Sequence, residues 1–370
     1  MGNYRDMMEK MSKAIRSPVR QLNAERYLMI TMLSFAGSIS LTRMFLEITG
    51  YPQIGNSQLH IAHVLWGGLL LFIAALMPLI YVNHWVLDIS ALLSGLGVGL
   101  FIDEVGKFIT ESNDYFFPAA APIIYIVFLL VLLVYTLIRK PRKPDVRSEL
   151  YVVLQEMQEV LDRDLSDIEH KVMLNRLEHL RLAGDYKELD QLVEKLIQFL
   201  NSRNLYIVSH KPDVFVKIIK SWRNFEKKKL SRDIFRRWLI SGLALWGVWA
   251  FCYPLASWVF SVQQLSLPQI INELINSHLD TSFGILSLMG FRVAGEMVVG
   301  VILMIAVFLF IIKKERLASN LTYISLLFSL CGVYILVFYY DQFSTVFYAS
   351  FQFLLLISNL RYRKCFLLDK

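Results

Sequence analysis

His60 to Thr110 reads HIAHVLWGGLLLFIAALMPLIYVNHWVLDISALLSGLGVGLFIDEVGKFIT. Two apolar runs of membrane-crossing length, which takes about 20 helical residues, are parted only by a short turn around Asn83 and His84, and their outer ends carry His60, His63, Asp103, Glu104 and Lys107. Ionisable groups at membrane depth are costly and mark functional sites by default. The stretch therefore indicates both the fold class, an all-α polytopic membrane protein, and the place to look for chemistry.

The rest of the chain agrees. Of 370 residues 55% are hydrophobic, and mean hydropathy is +0.47, far more apolar than a soluble protein of this size. The formal charge of +7 and a pI near 9.1 do not point to nucleic acid. The cations sit in short blocks beside apolar runs, where they anchor topology, and the expected partners are membrane lipids. The first 25 residues hold Arg5, Lys10, Lys13, Arg16 and Arg20 without an apolar core, unlike a cleavable signal peptide, and Asp6 breaks the myristoylation pattern. Cys252, Cys331 and Cys365 are too scattered for a disulfide framework and read as buried structural thiols.

Apolar runs near Tyr27–Thr49, His60–Tyr81, Val86–Thr110 and Ala119–Ile138 are followed, after a polar middle, by Trp238–Val262, Gly295–Ile312, Leu317–Tyr339 and Phe343–Leu360. That makes about eight transmembrane helices. The N-terminal arm, RKPRK at 139–143, the 227–237 stretch, KKER at 313–316 and RYRK at 361–364 all fall on one side, whereas the opposite loops hold no Lys or Arg until Arg292. Positive residues stay inside, so the expected location is the cytoplasmic (inner) membrane with both termini cytoplasmic. The resulting plan is a basic arm (1–25), a four-helix transmembrane unit holding the polar site (26–138), a cytoplasmic helical segment (139–233), a second four-helix unit (234–361) and a tail (362–370).

In the polar middle, Asp145 can cap a helix through Val153, Leu154, Met157 and Leu161, and Asp185 with Glu188 forms a capping-box-like start for Leu189, Leu192, Leu196 and Leu200. Three or four amphipathic helices packing on themselves and on the inner membrane surface account for this segment, and a protein partner could dock there. No nucleophile, glycine loop or metal spacing appears in it, and His170, His179 and His210 are too dispersed to be ligands. On the opposite side, LPQIINELINSHL can form a surface helix, as a lid or a plain connector. Trp246, Trp249, Trp258 and Tyr253 read as interface or packing residues.

At 1.5 Å per residue, Asp103 lies roughly 10 Å and Arg43 about 9 Å inside the outer ends of their spans, and His63 roughly 4.5 Å deeper than His60. Helical spacing puts His60 and His63 on one side, and Gly95, Gly99, Asp103 and Lys107 on a single stripe, where the glycines admit a neighbouring helix and Asp103 can pair with Lys107. Three readings stay open. The first is a structural polar network of Asp103 with Lys107 and Arg43 with Glu47 or Glu104. The second is a divalent transition-metal site (zinc, manganese or iron) with His60, His63 and Asp103 as ligands, since imidazole and carboxylate suit these ions. The third is a proton or ion relay using Asp103 and a histidine. As an enzyme, the protein would perform metal-assisted hydrolysis or transfer on a lipid-like substrate, with Glu104 as general base and Arg43 or Lys107 binding an anionic headgroup. As a transporter it would need polar groups continuing inward, and the inner halves of the second and third runs offer little beyond Ser90, Ser94 and glycines. A membrane scaffold or signalling protein acting through the helical segment is the third functional class.

The run HIAHVLWGGLL, with GLGVGLFIDEVGKFIT and NDYFFPAAAPIIYIVF, resembles a segment of uncharacterised bacterial multi-pass membrane proteins over residues 59 to 128. The resemblance implies a multi-pass fold and stresses the same residues, but it supplies no reaction. The layout is also loosely similar to membrane-embedded metal hydrolases with histidine and aspartate ligands. The chain departs from those enzymes in lacking a late HxxxH span and an early serine-containing ligand helix.

Overall fold

A computed structural model describes residues 18–50, 55–56, 59–60, 62–140, 146–183, 187–202, 205–208, 232–264 and 282–367. The elements are α1 (Ala24–Thr49), a two-residue antiparallel pair β1 (Gly55–Asn56) and β2 (Leu59–His60), α2 (His63–Ile80), α3 (His84–Asp103), α4 (Val105–Ile109) and α5 (Ala120–Arg139). Then come α6 (Val146–Leu161), α7 (Asp167–Ala183), α8 (Lys187–Leu200), α9 (Arg232–Gln264) and α10 (Ser282–Ile311). The chain continues through α11 (Glu315–Phe328), a π turn (Ser329–Val333), α12 (Tyr334–Asp341), a 3₁₀ turn (Gln342–Thr345) and α13 (Val346–Phe366).

The protein is a polytopic α-helical membrane protein. Among the described residues seven segments are long and apolar enough to cross a bilayer: α1, α2, α3, α5, Arg232–Ala256 of α9, Leu288–Ile311 of α10, and Glu315–Asp341, which joins α11 to α12. The expected eighth run is a continuous helix as well. With 21 residues α13 reaches about 31 Å, but Gln352, Asn359 and the terminal cations make it less apolar than the other seven. It nonetheless retraces the seventh segment, because Asn359 donates to the Ser319 carbonyl (2.9 Å) and Tyr362 reaches Glu315 at the start of α11.

The chain forms two compact units, one from the described residues of Met1–Leu100 and Val131–Val216, the other from those of Phe101–Leu130 and Lys217–Lys370. In the first, the glycines of α3 set the packing. A Cβ on Gly95 would lie 1.9 Å from Ser34 Oγ, and one on Gly99 would lie 2.7 Å from Ser38 Cβ, so α1 approaches as closely as their spacing predicts. Gly97 does the same toward the Gly67 carbonyl of α2, at 2.8 Å. Hydroxyls then bond across, Ser38 to the Leu96 carbonyl (3.1 Å) and Ser90 to the Ala74 carbonyl (2.7 Å).

Helices α6 to α8 bury Leu150, Val153, Leu165, Met173, Leu177, Leu180, Val193 and Leu200 against one another. A capping box starts α7: Ser166 N–H donates to Glu169 Oε2 (3.0 Å) and Glu169 N–H to Ser166 Oγ (3.3 Å). The starts expected at Asp145 and Asp185 lie outside the described residues, as does the LPQIINELINSHL segment. The bundle is tied to the α2–α3 turn through His84 Nε2 and the Gln155 carbonyl (3.2 Å) and through Asn83 and Asp162 (3.3 Å).

In the second unit, α10 begins at Ser282, well before the Gly295 that hydropathy alone suggested, so Arg292 sits within the helix rather than at the base of a loop. Helix α10 ends in a Schellman turn: Lys313 N–H donates to the Phe310 carbonyl (3.2 Å) and Lys314 N–H to that of Leu309 (2.9 Å), with Lys313 left-handed at φ 64° where glycine is usual. The π turn widens the next helix, and the Leu330 carbonyl within it accepts from Tyr125 Oη of α5 at 2.7 Å. The cysteines differ from expectation. All three are free and exposed on the helix surfaces.

Candidate functional site

The Asp103 region departs from a continuous helical stripe. Helix α3 stops at Asp103, Glu104 takes a turn conformation (φ −92°, ψ 11°), and α4 restarts at Val105. The break follows from Gly106, where a Cβ would lie 2.6 Å from the Asp114 carbonyl oxygen, so the following loop folds back against α4. That loop is ordered by an Asx turn, Phe116 N–H to Asp114 Oδ1 (2.8 Å), and by Asp114 N–H donating to Thr110 Oγ1 (2.8 Å). It delivers Tyr115, whose Oη donates to Asp103 Oδ2 at 2.6 Å. The expected Asp103–Lys107 pair is replaced. Lys107 Nζ lies 3.5 Å from Glu104 Oε2 and 5.2 Å from the centre of the Tyr115 ring, because the turn at Glu104 resets which residues are one helical step apart. Asp103 and Glu104 are fully buried, at 0% and 1% exposure.

The histidines do not share a helix face. His60 lies in β2, paired with Gly55, and α2 starts only at His63, which is half-buried. The extended Ala62 (ψ 142°) between them breaks the i, i+3 relation. The His60 side chain lies outside the described residues. Arg43 is buried on α1 at 8% exposure. Among the described residues no three of His, Cys, Asp and Glu are grouped to hold a metal ion.

A second charged cluster lies wholly in the second unit. Arg292 forks onto Asp341 at the end of α12, Nη1 to Oδ1 at 2.8 Å and Nη2 to Oδ2, while its Nε donates to Glu296 Oε1 one turn along (3.3 Å). One guanidinium thus serves two carboxylates. They border a narrow cavity of ≈ 390 Å³ whose wall includes Trp246, Trp249, Tyr253, Tyr334, Tyr348 and Gln352. This is room for water or a small ion. The aromatic residues expected as packing or interface residues, Trp246, Trp249 and Tyr253, line it. Gln342 Nε2 donates to the Phe116 carbonyl (3.0 Å), which puts the Tyr115 loop beside the α12–α13 turn at this same end of the unit.

From this cavity a polar file runs along α11. Ser329, Ser325, Thr322, Ser319 and Glu315 are all buried, facing buried Gln352 and Asn359 of α13. Among the described residues Ser319 Oγ, Thr322 Oγ1, Asn359 Oδ1 and Trp246 Nε1 meet no hydrogen-bond partner in the protein, and the Gln352 amide has only the Tyr334 hydroxyl beside it. Buried polar groups left this way are ordinarily satisfied by water. No protein family, curated protein or solved structure matches this chain. At its far end the file meets Glu315, which accepts from Arg232 Nη2 (2.7 Å), Arg236 Nη1 (3.2 Å) and Tyr362 Oη (2.8 Å).

Sequence reasoning singled out Arg43, Asp103, Glu104 and Lys107, of which Arg43 lies within α1 and Asp103 ends α3 while Glu104 and Lys107 follow the end of that span, and it missed Tyr115, Glu296, Gln352 and the α11 file. The signals were present: Arg292 and Glu296 at i, i+4 in an apolar run, and Glu315, Ser319, Thr322, Ser325 and Ser329 at steps of four, three, three and four.

Proposed function

We propose that this integral membrane protein is a proton-translocating transporter whose second unit carries protons between the Asp341 end and the Glu315 end, with the Glu315 end and both termini in the cytoplasm. The observation that carries the reading is the buried polar file. From Ser329 at the cavity to Glu315 it covers about 21 Å at 1.5 Å per residue, a large share of the roughly 30 Å of hydrocarbon in a bilayer. Transport requires polar groups that continue inward. The second and third spans lack them, and α11 with α13 supplies them. Carboxylates at one end, hydroxyls and amides with open hydrogen-bonding capacity between, and a carboxylate–tyrosine–arginine group at the other are the parts of a relay. Eight crossings follow if α13, which retraces the seventh segment, crosses as well.

The test needs no solute. In proteoliposomes with a trapped pH indicator, an imposed potassium diffusion potential should drive proton entry with wild-type protein, and Gln352→Leu or Thr322→Val should reduce it severalfold. Flux no greater than in empty vesicles, or unchanged in both variants, would sink the reading.

Metal-assisted hydrolysis or transfer on a lipid-like substrate is the second reading. What favours it is the adjacent, fully buried pair Asp103 and Glu104; it requires His60 and His63 as the neutral ligands, and its metal would activate water. Protein purified without chelators should then carry a stoichiometric transition metal that is lost in His63→Ala.

A further inference from the structure

At the Glu315 end the protein opens into a larger, solvent-open hollow of ≈ 860 Å³, lined by Arg232, Lys313, Lys314, Glu315, Arg316, Leu317, Phe366 and Leu367. Its four cations face one carboxylate. That carboxylate is already committed to Arg232, Arg236 and Tyr362, so it does not neutralise the others. Among the described residues Lys313, Lys314 and Arg316 make no ion pair. The start of α11 contributes peptide N–H groups and the positive end of its dipole to the same hollow. Leu317, Phe366 and Leu367 form an apolar margin next to the charges. Lys313 holds its place in the wall with φ 64°, a left-handed conformation that glycine would adopt without strain.

We propose that this hollow binds a phosphate group. The uncommitted cations match a phosphate mono- or diester, and the apolar margin suits the first carbons of an attached acyl chain. Basic pockets between transmembrane helices at a membrane surface select anionic headgroups over zwitterionic ones because a net positive field has no partner in the latter. The hollow shares Glu315 with the proton file, but phosphate binding is read without proton flux, so its failure leaves that reading standing.

Thermal unfolding of the detergent-purified full chain reads the binding, since a ligand that favours the folded state raises the midpoint with concentration. Short-chain phosphatidylglycerol should raise it by a few degrees, whereas phosphatidylcholine of the same chain length should not. Inorganic phosphate distinguishes the source. A rise with phosphate alone identifies a free anion as a sufficient ligand, and a rise with phosphatidylglycerol only identifies the lipid headgroup; both support phosphate binding. Lys314→Gln and Arg316→Gln, made singly to preserve folding, should each weaken half-saturation about fivefold, and Arg139→Gln with Lys140→Gln, a basic block outside the hollow, should leave it unchanged. Equal stabilisation by a phosphate-free anionic amphiphile such as laurate, equal weakening by the 139/140 control, or no response to either phosphate ligand overturns the proposal.

Discussion

The two ends of the second unit solve opposite problems with the same chemistry. At the Asp341 end a cation is the hub: Arg292 holds Glu296 and Asp341. At the Glu315 end an anion is the hub: Glu315 holds Arg232 and Arg236, with Tyr362 as a third donor. The first group has a formal charge of −1 and the second +1, so the unit is electrically polarised along α11 and α12. The two also differ in tightness. Glu315 is 7% exposed and its acceptor capacity is filled by three donors from two other helices, so it acts as a clamp. Asp341 is 29% exposed and its cluster borders a cavity, so this end is looser and reached by water.

Removing the hub is the most direct way to break this contrast. Glu315→Ala takes the shared acceptor from a buried phenol and from two partly exposed guanidiniums, of which Arg236 keeps Asp233, and the three lost bonds together cost on the order of 3 kcal/mol. We expect loss of monodisperse protein on size-exclusion chromatography, with Glu315→Gln intermediate. Arg292→Met should cost less, about 2 kcal/mol, because water reaches Asp341. Adding Asp341→Asn should recover part of that loss in a double-mutant cycle, and additive losses would mean the fork is not coupled. Gln352→Leu sharpens the comparison through its sign. It replaces a buried amide with Tyr334 alone beside it, leaving most of its capacity unmet, so it should stabilise the fold by up to about 1 kcal/mol while reducing proton flux, and a variant that loses both would be a packing residue. Cysteines placed at Gln342 and Lys313 should react with an impermeant reagent from opposite sides, the first from outside; the reverse pattern would invert the proposed orientation.

The smallest effect lies outside the membrane-spanning segments, where carboxylates face each other. In α6, burial and then the neighbouring Glu169 carboxylate push Glu159 up to about 7 from the ordinary 4.5. Burial also raises Glu156, against the opposing charge of Arg176. A carboxylate held above its unfolded value favours the folded state fully below about 4.5 and loses that contribution as pH rises through about 7. Because Glu159 is half-exposed, the loss between pH 5 and 8 is on the order of 1 kcal/mol at most. Hydrogen exchange across α6 to α8, corrected for intrinsic rates, should therefore be faster at pH 8 than at pH 5, and Glu159→Gln should flatten the difference. A profile unchanged by that substitution would locate the titration elsewhere.

These contrasts also show which parts of the structure were legible in the residues. Membrane residence and the span pattern were readable because a helix in lipid must present apolar side chains along its whole length, and a stretch such as Ala120–Arg139 has no other use. The glycine contacts of α3 were readable because Gly95 and Gly99 recur at one helical step. The break at Glu104 was hidden, since GLFIDEVGKFI has no local helix breaker at that point and the cause is a tertiary contact, the Asp114 carbonyl against Gly106. His60 and His63 do not share a helix face for a related reason: the helix starts three residues later than hydropathy suggests. Arg292 was mistaken for a loop-base residue because a single charge ends a hydropathy run, although Asp341, 49 positions away, makes it an interior residue. The hydroxyl file of α11 escaped notice because serine and threonine barely alter an average taken over a whole span, and only their spacing marks a face.

The bond from Tyr125 to the Leu330 carbonyl joins positions 205 residues apart and lies in a unit that takes residues 101–130 from the first half of the chain and the remainder from the second. Translation at about 5–20 residues per second therefore separates the two partners by roughly 10–40 seconds. During that interval the start of α5 is inserted in lipid without the helix against which Tyr125 and Ala121 will pack. The α5 surface around Tyr125 thus stays unmatched until α11 and α12 are made.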